Sequence, residues 1–586
     1  MKVNIVNSFL EKFFSSKLQQ SISIVFMMFF SSQLLNSDAY YIPYLLITIL
    51  IFLSFVYNKN VFKNGYFINK YFALLIIVFS LFFACMITLS NYNLWHLSMY
   101  STSIWNSPYK LYKFLLLCVF FGGSLIGFLN FFVALTSKQN LLIWKEKRNF
   151  IKLSPQLSFF LCFFLISIVN CFILFSCQYP GNLSPDSINQ VSQILCNQYS
   201  NHHPFYHTQI IRLCYVIGMK IFNNINAAIA LYSVFQILFM AICFSFVSNT
   251  LAHLKISIKI QVITIAFYLL MPYHIIYSMT MWKDIMFGGC VLLLITFIFR
   301  CIYLIGNVKI NYIILIISGL GICLFRSNGF FAFIILGISF FFIFRKKYKK
   351  ILLAFFLIIA ISTFLKYPVL NHLNVIQPSK IESLSIPAQQ IARVIVEGNQ
   401  LTNKETKLLS QIVDIEKIPE RYTPYISDNI KNLVREKGRL DLLEKYKFDF
   451  LKMYLLLGVK YPGAYIRAWV DETKGYWNAG YDYWIWNTEV QNNSFGIQRT
   501  ILLKNVKNFF DQYLNIFTDI QLLKIFLCIG VFVWTDIILL FISLLRKDKL
   551  GCYSTFPILA IVLSLLIATP VYSEFRYIYA AFCSLP

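Results

Sequence analysis

The chain has 586 residues, is 58% hydrophobic and is only 13% charged, which excludes an ordinary soluble globular fold and points to a polytopic membrane protein. Its formal net charge of +26 does not mark a nucleic-acid binder. The basic residues gather between apolar runs, where anionic lipid head groups would meet them.

Residues 1–20 carry Lys2, Lys12 and Lys17 and read as a basic lead into a first span rather than a cleavable signal. Apolar runs follow near 21–36, 41–57, 72–89 and 114–136, so 1–156 is read as a set of N-terminal transmembrane helices. The linkers after the second and fourth runs are basic, with Lys59, Lys63 and Lys70, then Lys138, Lys145, Lys147, Arg148 and Lys152. A cytoplasmic N-terminus puts both inside, as the positive-inside rule prefers.

The next run, 157–176, opens a membrane module over 157–366 whose long external loop is 177–222. Further runs lie near 225–247, 258–277, 285–305, 309–325, 328–344 and 351–366. Their inner turns carry Lys255 and Lys259, then Arg300 and Lys309, then Arg345, Lys346, Lys347, Lys349 and Lys350. Every strong basic cluster falls on the same side of this count.

Residues 367–520 break the pattern, since they hold 17 of the chain's 25 acids. They read as an extracytoplasmic domain, mostly helical over 382–450 and aromatic over 475–495. The last part, 521–586, has runs near 522–545 and 555–570 and a shorter stretch, 575–586, read as a partial or final span. The expected fold is an all-α polytopic membrane protein of about 13 or 14 transmembrane helices. The expected address is a bacterial plasma membrane, multi-pass, with the N-terminus cytoplasmic and 177–222 and 367–520 outside. Heavy use of Phe, Ile, Lys, Asn and Tyr fits an AT-rich bacterial genome.

Acids are scarce before residue 366: only Glu11, Asp38, Glu146, Asp186 and Asp284. Asp186 lies in Ser184-Pro185-Asp186-Ser187, a helix start with Ser as N-cap and Pro in the first turn. An acid there complements the helix dipole with no further role. The functional alternative is a general base that takes the proton of an attacking hydroxyl. His202, His203 and His207 follow in the same loop. Pro204 opens a second helix, and His203 and His207 are spaced to share a face, where they could grip a phosphate or a divalent metal. Most of the 14 cysteines sit in apolar runs and behave as small apolar side chains; Cys177 and Cys196 flank the loop as a candidate disulfide.

Lys283 and Asp284 occupy an outer turn, either paired with each other or meeting a lipid phosphate. Arg326 and Arg576 stand on the face that the positive-inside rule leaves poor in cations. With Lys283 they make three external charges able to hold a phosphate leaving group. Asp536 lies within an apolar run, a costly place for a charge.

Several strings carry a resemblance: PGNLSPDSINQ, SNHHPFYHT, MTMWKDIMFGG, FRSNGFF, IPAQQIARVI and FRYIYAAF. Over roughly 155–586 the chain resembles a bacterial family of multispanning membrane proteins catalogued as a domain of unknown function. The many spans, the acid in the first long outer loop and the late outer domain resemble the GT-C class of polyprenyl-phosphate-sugar glycosyltransferases. That resemblance implies a first-loop acid acting as base or metal ligand, and Asp186 is the residue that matches. The Asp-x-Asp form is not present, because Ser184 and Ile188 stand two positions away. A divalent metal ion stays an open cofactor, with Asp186, His203 and His207 as candidate ligands.

The expected function is an inverting glycosyltransferase moving a sugar from a polyprenyl-phosphate carrier to an extracytoplasmic acceptor (a cell-envelope polymer, lipid or protein). Asp186 would be catalytic. His202, His203, His207, Lys283, Asp284, Arg326 and Arg576 would bind substrate. The expected partners are the lipid-linked donor, that acceptor and membrane lipids, with no nucleic acid. The rival readings are a transporter or flippase of lipid-linked saccharide, which needs no base, and a non-catalytic envelope scaffold.

Overall fold

The structure is a computed structural model that describes residues 153–585 apart from 345–346, 479–484 and 546, together with six positions between 74 and 86. The expected runs 21–36, 41–57 and 114–136 lie outside the described residues. Within 72–89 the six described positions are helical, and Phe82 meets Trp534 edge to face at 6.0 Å.

All regular secondary structure among the described residues is helical; extended segments meet only in isolated bridges. In chain order the principal helices are α1 (Pro155–Ile173), α2 (Pro185–Cys196), α3 (Phe205–Phe222), α4 (Ile225–His253), α5 (Ile258–Leu270) and α6 (Pro272–Ser278). Then come α7 (Lys283–Tyr303), α8 (Val308–Phe325), α9 (Ser327–Phe344) and α10 (Lys349–Phe364). After these lie α11 (Ser385–Val396), α12 (Lys447–Lys460), α13 (Pro462–Thr473), α14 (Lys504–Asp519), α15 (Ile529–Leu545) and α16 (Lys549–Ala568).

Seven of the described helices are long and apolar enough to cross a membrane: α1, α4, α7, α8, α9, α10 and α16, with α1 and α10 extended to Gln178 and His372. The chain is a polytopic all-α membrane protein. The expected run 258–277 is broken instead of straight. α5 and α6 meet at an angle of 55° and make an eighth span if counted together. Pro272 explains the break, since it lacks the N–H that would continue the ladder and its ring clashes with the preceding turn.

The final stretch does not cross. Phe575–Ile578 forms a 3-10 turn and Tyr579–Cys583 a five-residue helix, both turned inward. A four-residue 3-10 turn and a five-residue helix together reach only about 16 Å, short of a bilayer core. Burial is their alternative: the Tyr579 hydroxyl meets His274 Nδ1 at 2.9 Å. Gly288 of α7 lets Tyr579 and Ala580 come close, where a Cβ would strike the Tyr579 ring.

The acid-rich stretch holds two parts. α11, α12 and α13 with shorter helices between 403 and 445 enclose their own core, with Val394, Leu433, Met453 and Leu457 inside. α14 instead buries Phe510, Leu514 and Phe517 in the core of the membrane helices. The lobe grips the chain that leaves α16. Ser427 N–H donates to Pro570 O at 2.9 Å, and Tyr572 N–H to Tyr425 O at 2.9 Å. On the other side the Tyr476 hydroxyl donates to Val571 O at 3.1 Å.

Gly475 lies flat against Tyr572 and Ser573, so a methyl group at its Cα would meet the Tyr572 carbonyl at 2.6 Å. Gly475→Ala must therefore push this segment away, at a cost of about 1–3 kcal/mol. Thermal unfolding of the detergent-solubilised variant checks this; a melting temperature equal to the parent's would show that the segment yields freely.

Candidate functional site

The loop after α1 is fixed by backbone pairing before any charged group is considered. Asn182 N–H donates to Met279 O at 2.8 Å and Met281 N–H returns to Asn182 O at 3.0 Å. One residue on, Leu183 pairs with Glu489 and Gln491 at 3.1 and 2.9 Å. Arg499 ties these extended segments together, donating to the Gln178 carbonyl, to Asn182 Oδ1 at 2.6 Å and to Thr488 O at 2.7 Å. Gln236 of α4 holds the far side, donating to the carbonyls of Tyr277, Ser278 and Thr280 at 2.9, 3.1 and 2.7 Å.

α2 then starts as its sequence predicts. Ser184 is the N-cap, Pro185 opens the helix and Ser187 completes a capping box. Ser187 Oγ donates to Met281 O at 2.8 Å, and Trp282 Nε1 donates to Ser184 Oγ at 2.7 Å. The start of α2 is thereby bolted to the start of α7. That is why Asp186 and the Lys283–Asp284 pair share one site.

The C-terminal turn completes it. Arg576 Nη1 donates to Asp186 Oδ2 at 2.8 Å, and its Nε lies 3.0 Å from Glu574 Oε1. The Arg576 guanidinium lies over the Trp282 ring at 4.8 Å and near Tyr577 at 5.4 Å. Arg326 pairs with Asp284 and rests 4.5 Å from the Tyr577 centroid. Tyr577 thus lies within cation–π reach of both guanidinium groups. Lys283 and Asp284 form no direct ion pair: Lys283 Nζ lies 3.3 Å from His203 Nδ1, while the Asp284 charge still acts on it.

The site brings Asp186, His203, Lys283, Asp284, Arg326 and Arg576 together from segments hundreds of residues apart. The Asp186 side chain keeps 34% of its exposure, against 15% for Arg576, 11% for Arg326 and 1% for Asp284. The acid is the open member of the cluster. Burial would raise its carboxyl, but Arg576, Lys283 and the hydrogen bond from Arg576 outweigh burial and hold it well below the usual carboxylate range. Burial, against the pull of Arg576, pushes the Glu574 carboxyl up.

The three histidines part company. His202 is exposed and touches the site only through its ring against His203, at 4.9 Å between centroids. Burial and the Lys283 ammonium push His203 down to about 3, so it is neutral and its Nδ1 accepts from Lys283. His207 is buried, with Nδ1 accepting from Gln190 at 3.0 Å and Nε2 meeting the Tyr232 hydroxyl at 2.7 Å. Tyr232 passes this bond to Gln236 Oε1 at 2.7 Å. His207 thus orients the frame and has no ring nitrogen left for a metal or a phosphate.

A divalent metal does not fit these residues. Asp186 faces a guanidinium, His203 an ammonium, and among the described residues no three His, Cys, Asp or Glu converge. Cys177 and Cys196 are free thiols, one buried and one exposed. Asp536 keeps one buried carboxylate oxygen without a partner and takes no part in this cluster.

Trp282, Arg499, Glu574 and Tyr577 build the site without having been singled out from the sequence. Glu574 had a signal, being an acid two residues from an out-of-place arginine. The aromatic pair had none, because Trp and Tyr are common at membrane interfaces.

A family model described as a family of unknown function, DUF6020, matches residues 196–586. The match takes in His202, His203, His207, Lys283, Asp284, Arg326 and Arg576, and begins ten residues after Asp186. No curated protein and no solved structure matches the chain.

Proposed function

The chain belongs to the DUF6020 family, and from the chemistry of its clustered charges we propose that it is an inverting glycosyltransferase acting on a sugar carried by a polyprenyl phosphate. One observation carries this reading. A partly open carboxylate, Asp186, sits beside Arg576 and Lys283, with Arg326 paired to the neighbouring Asp284, in a protein built of membrane-spanning helices.

The donor's phosphate meets Arg576, Lys283 and Arg326, whose charge stabilises it as it becomes the leaving group. As the phosphate takes up Arg576, Asp186 loses its strongest partner, its proton affinity rises and it becomes a better base. Asp186 then takes the proton of the acceptor hydroxyl. The acceptor oxygen forms a bond to the anomeric carbon from the face opposite the phosphate. The carbon–oxygen bond to phosphate breaks, the electron pair leaves with the phosphate, and the anomeric configuration inverts. The lipid tail lies between the spans, which accounts for many apolar helices around few polar residues. The site then faces the extracytoplasmic side, and the 367–520 region helps choose the acceptor.

Purified protein incubated with a radiolabelled polyprenyl-phosphate sugar and an envelope-lipid or polymer extract tests the proposal. The expected result is label moved to the acceptor with release of polyprenyl phosphate, undiminished by EDTA. Net movement of labelled donor across a vesicle bilayer without any transfer would favour the flippase and sink the enzyme reading. Loss of transfer with EDTA would restore a metal to the site.

A further inference from the structure

α12 is apolar on two opposite faces, and among the described residues only one of them has a partner. Phe450, Met453 and Leu457 face the core of the lobe. On the other side Phe448, Leu451, Leu455, Leu456 and Val459 are 52–81% exposed. Their spacing of three, four and eight residues makes them one continuous stripe along the helix. A stripe of large side chains on this scale is not left in water without a reason. Lys447, Lys452 and Lys460 are exposed on the same helix, against one acid, Asp449.

The surroundings indicate what covers the stripe. α13, which follows α12 after one residue, donates from Trp469 Nε1 to Leu566 O in the last turn of the span α16 at 2.8 Å. The lobe also grips residues 570–572 directly after that span. α13 is about 18 Å long, so α12 is tied within one short helix of a span's end. Apolar side chains flanked by lysines at the end of a span match the boundary between acyl chains and anionic head groups.

We infer that α12 is an interfacial anchor: its Phe448–Val459 stripe lies in the head-group and upper acyl region of the same bilayer the spans cross, and its lysines meet anionic lipid phosphates. The lobe is therefore seated on the membrane and does not stand free in water. This inference does not depend on what reaction the charged cluster performs.

The test replaces Leu455 with the photo-crosslinker benzoylphenylalanine in the full chain, reconstituted in phosphatidylethanolamine–phosphatidylglycerol vesicles. Ile567, exposed on α16, is the lipid-facing benchmark. After irradiation, mass spectrometry should show a mass increment of one phospholipid at position 455, as at 567. Replacing Lys447, Lys452 and Lys460 with glutamine should lower the phosphatidylglycerol share of those adducts. A cross-link from position 455 to a second copy or another polypeptide, or an unmodified chain there, overturns the inference.

Discussion

In the proposed transfer, Asp186→Asn lowers the rate about 100- to 10,000-fold and leaves the protein folded, whereas Arg576→Gln loses both activity and stability. The two variants differ because the pair is asymmetric. Asparagine can still accept from Arg576, which keeps Glu574 at 3.0 Å. Removing Arg576 instead strips the cation from Asp186 and Glu574 together, and the Trp282 and Tyr577 faces lose the guanidinium they hold. Breaking a buried ion pair from one side costs about 3–5 kcal/mol. The exposure of Asp186 puts Arg576→Gln at the lower end of that range.

The pH dependence has a definite sign. The folded Asp186 carboxyl is held below its unfolded value, so its contribution is present above the ordinary aspartate pKa and lost only as pH falls through the folded one. Around neutrality the pair is intact and the base ionised. Initial rates with labelled donor and thermal unfolding in the same detergent separate the effects. Full activity in Asp186→Asn would remove the assigned base, and an Arg576→Gln protein as stable as its parent would show that the pair holds nothing together.

Much of this arrangement was legible in the sequence, and for physical reasons. Span positions follow from long apolar runs, and the starts of α2 and α3 follow from Pro185 and Pro204, because proline and capping residues act locally. The scarcity of acids singled out Asp186, and the positive-inside rule singled out Arg326 and Arg576 as cations out of place. What sequence could not supply was partnership. Lys283 beside Asp284 invites a pair, yet α7 turns them apart, one toward His203 and the other toward Arg326. His207 at helical spacing from His203 looks like a second ligand. Only the packing of α3 against α2 and α4 shows that Gln190 and Tyr232 take its nitrogens. Composition likewise left 575–586 as a partial or final span, whereas it folds as two short turns that lie inward and carry Arg576 to the site.

Glu472 gives the second large effect, and it runs opposite to that of Asp186. It lies near the end of α13, fully buried, with neither carboxylate oxygen hydrogen-bonded. Burial pushes its carboxyl up to about 8, against the Ser427 hydroxyl that faces it and the pull of Lys431, whose ammonium is already engaged by Glu382 and Asp428 at 3.0 and 2.6 Å. A folded-state pKa above the unfolded one stabilises the protein below the ordinary glutamate value and withdraws that support as pH rises toward about 8. The full swing is about 3–5 kcal/mol.

The melting temperature should therefore fall from about pH 5 to about pH 8, and much less so in Glu472→Gln, which keeps the shape without the charge. Superimposable curves for parent and variant would show that another group titrates. The consequence reaches the charged site because Ser427, which faces Glu472 from the lobe, also holds Pro570 O at 2.9 Å. If ionised Glu472 displaces Ser427, the grip on the segment that delivers Glu574 and Arg576 loosens. Activity lost on the alkaline side in the parent should then be retained in Glu472→Gln. If both proteins lose activity alike as pH rises, the lobe does not control the placement of Arg576.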